Sequence, residues 1–424
     1  MNRPRPGSGR LRTAWLAFAA VILLLLVLTL DTAPALPLAT APTGEQVTDG
    51  RDAMRRLRGA MRGPPPSATI AFTDAELRGI ASLIGNATFA RRVDARLEAG
   101  HAHAAASLDL PLGLWLNVRV ATAAVAGTGF PQFDVRIGKL TLPRWMTHAQ
   151  IAAARALLVL RGGRLPPLDR IVLSHRGTAE RIFVVLGTPL DGTGVIRQIV
   201  RLRSAPVDGA RVASLYCQLV AAHARRPAVD LATQVRRGVA LTADGDVVTR
   251  NRELLVALAM LTVGERAADL ADNAAAASKA CRIAPPGLTL GGRIDLAKHW
   301  TLSAALGATL GGDVTRAMGE WKELSDSNRG GSGFSFVDLA ADRAGLRIGS
   351  AAVNPARASA IRAALATASD AALLPVGAVG LTEGLSNEVF VARYGSIDAR
   401  NYASAIASID RLLDRDPLLR DARD

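Results

Sequence analysis

Residues 293–349, from RIDLAKHWTLSAALGATLGGD to GSGFSFVDLAADRAGLRIG, concentrate the side chains of this chain that could do chemistry. Asp295 and His299 stand four apart, Glu320 and Glu323 three apart with Asp326 extending their stripe, and Asp338 and Asp342 four apart. Each spacing places its pair on one face of a helix. Lys298 and Lys322 lie among them, two of only 4 lysines within 51 basic residues. One imidazole with several carboxylates suits a hard or borderline divalent cation and a hydrolytic reaction, with His299, Glu320, Glu323, Asp338 and Asp342 as candidate ligands. A desolvated Glu323 beside His299 would instead be a general acid or base, which makes these two the catalytic candidates. A third reading needs no reaction. Asp338 is then only a helix cap, His299 pairs with Asp295 or Glu323, and Lys298 and Lys322 complete buried ion pairs, because buried polar groups must satisfy one another.

The glycines indicate how these residues are positioned. Gly311-Gly312 interrupts the first helix and leaves Asp313 well placed as the next N-cap. If the chain reverses there, His299 lies 12 residues before Gly311 and Glu323 lies 11 after Gly312, so at ~1.5 Å per residue both stand roughly 17 Å from the turn. An uninterrupted helix would separate them by about 36 Å, so the double glycine favours an antiparallel hairpin. The loop SNRGGSG then delivers a third helix. Ser335-Phe336-Val337-Asp338 reads as a capping box with Ser335 as N-cap. Gly345 allows close helix packing, and Gly349 serves as a C-terminal cap.

In this order, Asp295, Lys298 and His299, then Glu320, Glu323 and Asp326, then Gly333-Phe334-Ser335, Asp338, Asp342 and Gly345 form a pattern that resembles YfiM-type envelope lipoproteins. It is more distantly similar to VanZ-like membrane proteins. The resemblance covers residues 293–349 of 424 and implies no assigned reaction. VanZ-like proteins embed these helices in the membrane, whereas the charged, amphipathic helices here imply a soluble domain.

The first residues suggest a location. Ala14 to Leu30 is a continuous apolar run just long enough to cross a bilayer. Arg3, Arg5, Arg10 and Arg12 precede it, so the positive-inside rule leaves the N-terminus in the cytoplasm. A cleavable signal peptide is the competing reading, with weak A-x-A-like sites in DTAPALPLATAP. The length of the run favours a retained anchor in a bacterial inner membrane, with the rest of the chain periplasmic. The ~390 residues beyond it exceed the usual single core and call for two domains. The expected organisation is a cytoplasmic tail (1–13), a transmembrane anchor (14–30), a basic and proline-rich linker (31–66), an α+β domain (67–205) and a mainly helical domain (206–424). A net charge of +14 without RNP-like aromatics, a zinc finger or a helix-turn-helix argues against nucleic acid and for an anionic phospholipid or another envelope component as partner.

Cys217 and Cys281 are the two cysteines, and an oxidising compartment favours their pairing. Closing a loop of ~65 residues would contribute roughly 4 kcal/mol in the chain-entropy model. Within the linker, Arg51, Arg55, Arg56, Arg58 and Arg62 alternate with Met54, Leu57 and Met61, a basic amphipathic stretch suited to a lipid surface or to a solvated tether. Thr73 and Glu76 form a capping box. Alternation from Leu108 to Val120 predicts one long strand, and the change of phase around Gly138 predicts a bulge. A helix near 146–160 and strands near 171–175 and 182–186 complete an antiparallel sheet domain. From residue 207 onward, apolar residues at three- and four-residue spacings predict helices near 213–224, 231–239, 252–261 and 267–280. His101, His103, His148 and His175 lack acidic partners at metal spacing, and Glu383 reads as surface or capping, in a possible strand. No P-loop, nucleophile elbow, Ser-x-x-Lys or His-Glu-x-x-His occurs. The expected function is a membrane-anchored envelope protein that binds or scaffolds a lipid, glycan or protein, with a metal-dependent or acid–base hydrolase acting through His299 as the alternative.

Overall fold

The computed structural model of the chain describes residues 15, 20, 23–24, 26–37, 43–62, 68–87, 92–160, 168–187, 207–242, 245–271, 273–328, 331–397 and 399–423. Two compact units emerge, Met1–Ala39 with Asp49–Leu190, and Thr40–Thr48 with Asp191–Asp424. The first is α+β with antiparallel sheets and the second is helical.

In the first unit, strands β1 (Leu30–Asp31), β3 (Val93–Glu98), β4 (His101–Leu110), β5 (Leu114–Thr122), β7 (Phe133–Ile137) and β8 (Leu140–Leu142) form one sheet, in the order β3-β4-β5-β7-β8 with β1 also pairing β5. A second sheet runs β2-β10-β9-β6, from Ala68–Thr73, Arg181–Leu186, Val172–Gly177 and Ala126–Thr128. The alternation from Leu108 to Val120 is therefore a hairpin rather than one strand. A turn at Pro111–Gly113 splits it, with Leu112 exposed at φ +69°. Gly138 is likewise not a bulge. It adopts φ +57° in the tight turn joining β7 to β8, where Ile137 faces Leu140. The capping box is present at the start of Asp74–Ala87, where Thr73 N donates to Glu76 Oε2 at 2.9 Å and Glu76 N to Thr73 Oγ1 at 3.2 Å.

Among the described residues no helix is long and apolar enough to cross a membrane. About half of the run from Ala14 to Leu30 falls outside those residues, and the transmembrane expectation gains no support. Its far end is visible and belongs to the sheet. Lys139 N donates to Leu28 O at 2.8 Å, and Leu30 pairs with Leu116. Beyond it the chain straps across one face of the sheet. Asn117 Nδ2 donates to Asp31 Oδ2 and Ala33 O, while Ala35 N donates to Asn117 Oδ1 and Ser107 Oγ. Buried polar groups so fully paired make this segment part of the domain. Residues 43–62 of the expected linker are also described, and nearly all of them are helical. Helix α1 (Gly44–Arg62) buries Val47 and Ala53 completely, and Leu57 and Ala60 pack on the Ile70, Val172 and Leu186 core. Pro64 to Pro66 lie outside the described residues.

The helical unit is built around α6 (Val247–Val263), buried from Glu253 to Thr262, with α4 (Gly209–Arg225) and α5 (Leu231–Leu241) beside it; α2 and α3 denote Asp74–Ala87 and Arg144–Leu160 in the first unit. The helix expected over 267–280 is broken instead into short turns, with Asn273 at φ +58°. Cys217 on α4 and Cys281 form a disulfide across 64 residues, with Cα atoms 5.4 Å apart. Helices α7 (Ile294–Leu310), α8 (Gly312–Asp326) and α9 (Phe336–Ala352) follow. Glu383 precedes α10 (Asn387–Tyr394), so its segment is not a strand, although Leu385 bridges to Phe334. Helix α11 (Arg400–Leu413) closes the unit against α9.

Candidate functional site

Backbone proximity assembles the His299 cluster. A Cβ on Gly345 would lie 2.1 Å from Trp300 O, and one on Gly349 would lie 2.2 Å from Ala304 O. Only glycine permits that approach of α9 to α7, and it brings the imidazole between two carboxylates. Gly349 thus acts inside a helix that continues to Ala352, not as its cap. Gly311 breaks the chain with φ +91°, and α8 begins at once with Gly312, which puts Asp313 inside the helix rather than at its N-cap.

His299 is bound on both sides. Its Nδ1 is 3.0 Å from Asp342 Oδ1 and its Nε2 is 3.2 Å from Asp338 Oδ2. Ser303, one turn further along α7, donates to the same Asp342 oxygen at 2.7 Å. Burial disfavours the charged ring, but the two carboxylates outweigh it and raise the pKa to about 10. The ring is therefore an imidazolium that donates from both nitrogens.

Glu323 is fully buried. Its Oε1 accepts from Lys322 Nζ at 2.8 Å and its Oε2 from the backbone N–H of Ser335 at 3.0 Å. Burial pushes its pKa up to about 7 against the pull of Lys322. Lys322 also reaches Asp326 at 2.9 Å and stands 3.8 Å from Asp338. Burial opposes its charge, yet Glu323 and Asp326 hold its pKa above the ordinary lysine value.

The bond from Ser335 explains why Asp338 is available. Ser335 Oγ caps Asp338 N at 3.0 Å, as the sequence implies, but the reciprocal half of the box comes from Glu323 on another helix. The Asp338 carboxylate is thereby released toward His299. Burial raises its pKa, but the bond with His299 overcomes this and lowers it. Its Oδ1 is buried with no hydrogen-bond partner among the described residues, 4.0 Å from Arg293.

The other candidates lie elsewhere. Asp295 pairs with Arg293 at 2.6 Å, and Arg293 also binds Glu383 at 2.8 Å, so His299 does not pair with Asp295. Glu320 accepts from Tyr402 Oη at 3.3 Å, outside the cluster. Lys298 is exposed rather than part of a buried pair. Sequence reading missed Ser303, whose i,i+4 spacing from His299 would have revealed it, and Arg293, two residues from Asp295.

No family model, curated protein or solved structure matches this chain. His299, Glu323 and Asp342 each offer one ligand atom within 4.8 Å of the others. Four carboxylates (Glu323, Asp326, Asp338 and Asp342) face one ammonium and one imidazolium, an excess of negative charge when all are ionised. A divalent cation replacing the ring proton would reduce that excess, and the donor set suits zinc or manganese.

Proposed function

We propose that the protein is a bacterial inner-membrane-anchored envelope protein that binds or scaffolds another component, with the His299 cluster as a charge lock holding its helical unit rigid. The observation that carries the lock is that both ring nitrogens of His299 and both oxygens of Glu323 are already engaged. A void between α8 and α9 that reaches Asp342 is about 10 Å³, room for a single water. The resemblance of residues 293–349 to YfiM-type envelope lipoproteins accords with this role.

Retention of the N-terminal segment is supported by the strap. Cleavage after Ala35 would remove β1 and the strap groups of Asp31, Ala33 and Ala35 that bond Ser107 and Asn117, leaving these two buried side chains with fewer partners than they have in the intact chain. Fractionation of cells expressing the full chain tests the anchor. The chain should sediment with membranes, resist alkaline carbonate and keep its N-terminus. A soluble product beginning after Ala35 would overturn it.

A second reading, a divalent-metal hydrolase centred on His299, is favoured by the 4.8 Å convergence and by the unpartnered Asp338 Oδ1. Metal content of the purified full chain and of His299→Gln and Glu323→Gln separates the two. Metal-free protein whose variants melt earlier supports the lock. A stoichiometric divalent metal lost in both variants would replace it with the metal site.

A further inference from the structure

The first unit carries a basin that the His299 cluster does not explain. Strand register fixes which side chains share the strapped face of the larger sheet. Asp94, Ala105, Arg119, Arg136 and Thr141 form one cross-strand row, and Arg96, His103, Ala121 and Asp134 form the next. These rows line a hollow of about 680 Å³, within the size range of small-molecule sites. Its depth comes from Ala105 and Ala121, whose methyl groups leave space between longer neighbours. Leu36, on the strap, closes one end, held there by Leu36 N donating to Ser107 Oγ and by Arg92 donating to Leu36 O.

The charges in this hollow are unevenly matched. Arg144 holds Asp134 with two bonds, at 2.7 and 3.2 Å, and so neutralises the acid of the second row. Arg96 reaches Glu98 at 3.5 Å. Arg119 and Arg136 have no such partner among the described residues. They are nevertheless direct cross-strand neighbours, and both are exposed. Like charges directly opposite on adjacent strands destabilise a sheet. An arrangement that is unfavourable when empty becomes favourable when an anion sits between the two guanidinium groups, whose planar donor forks match phosphate oxygens. Asp94, on the same row, and His103 offer acceptors for hydroxyl groups on the body of the ligand.

We propose that this basin binds a phosphate ester with a small hydroxylated body, the phosphate bridging Arg119 and Arg136. Such chemistry occurs in a glycerol-bearing lipid headgroup and in a soluble polyol phosphate. This proposal is independent of the role of His299.

Titration calorimetry on the full chain in neutral detergent tests it, with glycerol 3-phosphate, dihexanoyl phosphatidylglycerol and dihexanoyl phosphatidylcholine as probes. Binding should weaken roughly tenfold for each arginine removed in Arg119→Gln and Arg136→Gln, and should be lost in the double variant. The unliganded variants should melt no earlier than the parent, because each loses a repulsion rather than a contact. Preference for glycerol 3-phosphate assigns a soluble ligand, and preference for phosphatidylglycerol assigns a lipid headgroup. Absence of binding by all three probes, or equal binding by parent and double variant, would overturn the site.

Discussion

Removing His299 would leave Asp338 and Asp342 facing each other in a buried space without the cation that separates them. Breaking a buried ion pair from one side costs roughly 3–5 kcal/mol, so His299→Ala should lower the stability of the helical unit by about that amount, measured by denaturant titration. Adding Asp342→Asn should recover part of the loss. The pH dependence follows from the same groups. The pKa of His299 is raised from 6.5 to about 10, so its contribution is complete below the lower value and is lost as pH rises through the upper one. Glu323, raised from 4.5 to about 7, acts in the same direction over its own range, losing its contribution as pH rises through 7. Asp338, held below 3.8, acts oppositely and matters only in acid. The thermal midpoint of the helical unit should therefore fall between pH 7 and pH 10, and His299→Gln should flatten that fall. An unchanged slope in the variant would exclude the imidazolium.

At the scale of elements, α9 is fixed from two directions. One side meets α7 through Gly345 and Gly349, and the other carries Arg343 and Arg347 to Asp410 on α11, at 2.6 and 2.8 Å, with Arg347 also binding Asp414 at 2.7 Å. The matched four-residue spacings of these arginines and acids are a sequence signal that pairs the two helices. Gly345→Ala forces the backbones apart, and overpacking of this kind costs roughly 1–3 kcal/mol. It should also separate His299 from its acids, so the variant should lose the alkaline slope as well as stability. Gly319→Ala, whose Cβ would meet Asp342 Oδ2 at 3.1 Å, should have a smaller effect on both.

For the whole molecule, the disulfide is the simplest lever. Reduction, or Cys217→Ser with Cys281→Ser, should lower the stability of the helical unit by roughly 2–4 kcal/mol, read as an earlier unfolding midpoint. The α+β and helical characters, the capping box at Thr73, the N-cap at Ser335, the cysteine pairing and the segment holding His299 were all legible in the chain, because each rests on local periodicity, capping geometry or a small count of possible partners. Long-range choices were not legible. Glu323 rather than Asp338 accepts the Ser335 N–H, His299 takes Asp338 and Asp342 rather than Asp295, and residues 31–37 strap a sheet rather than link domains. Helical spacing states which residues share a face but not which face meets which. That is decided where glycine lets two backbones approach closely enough for a few buried polar groups to find their partners.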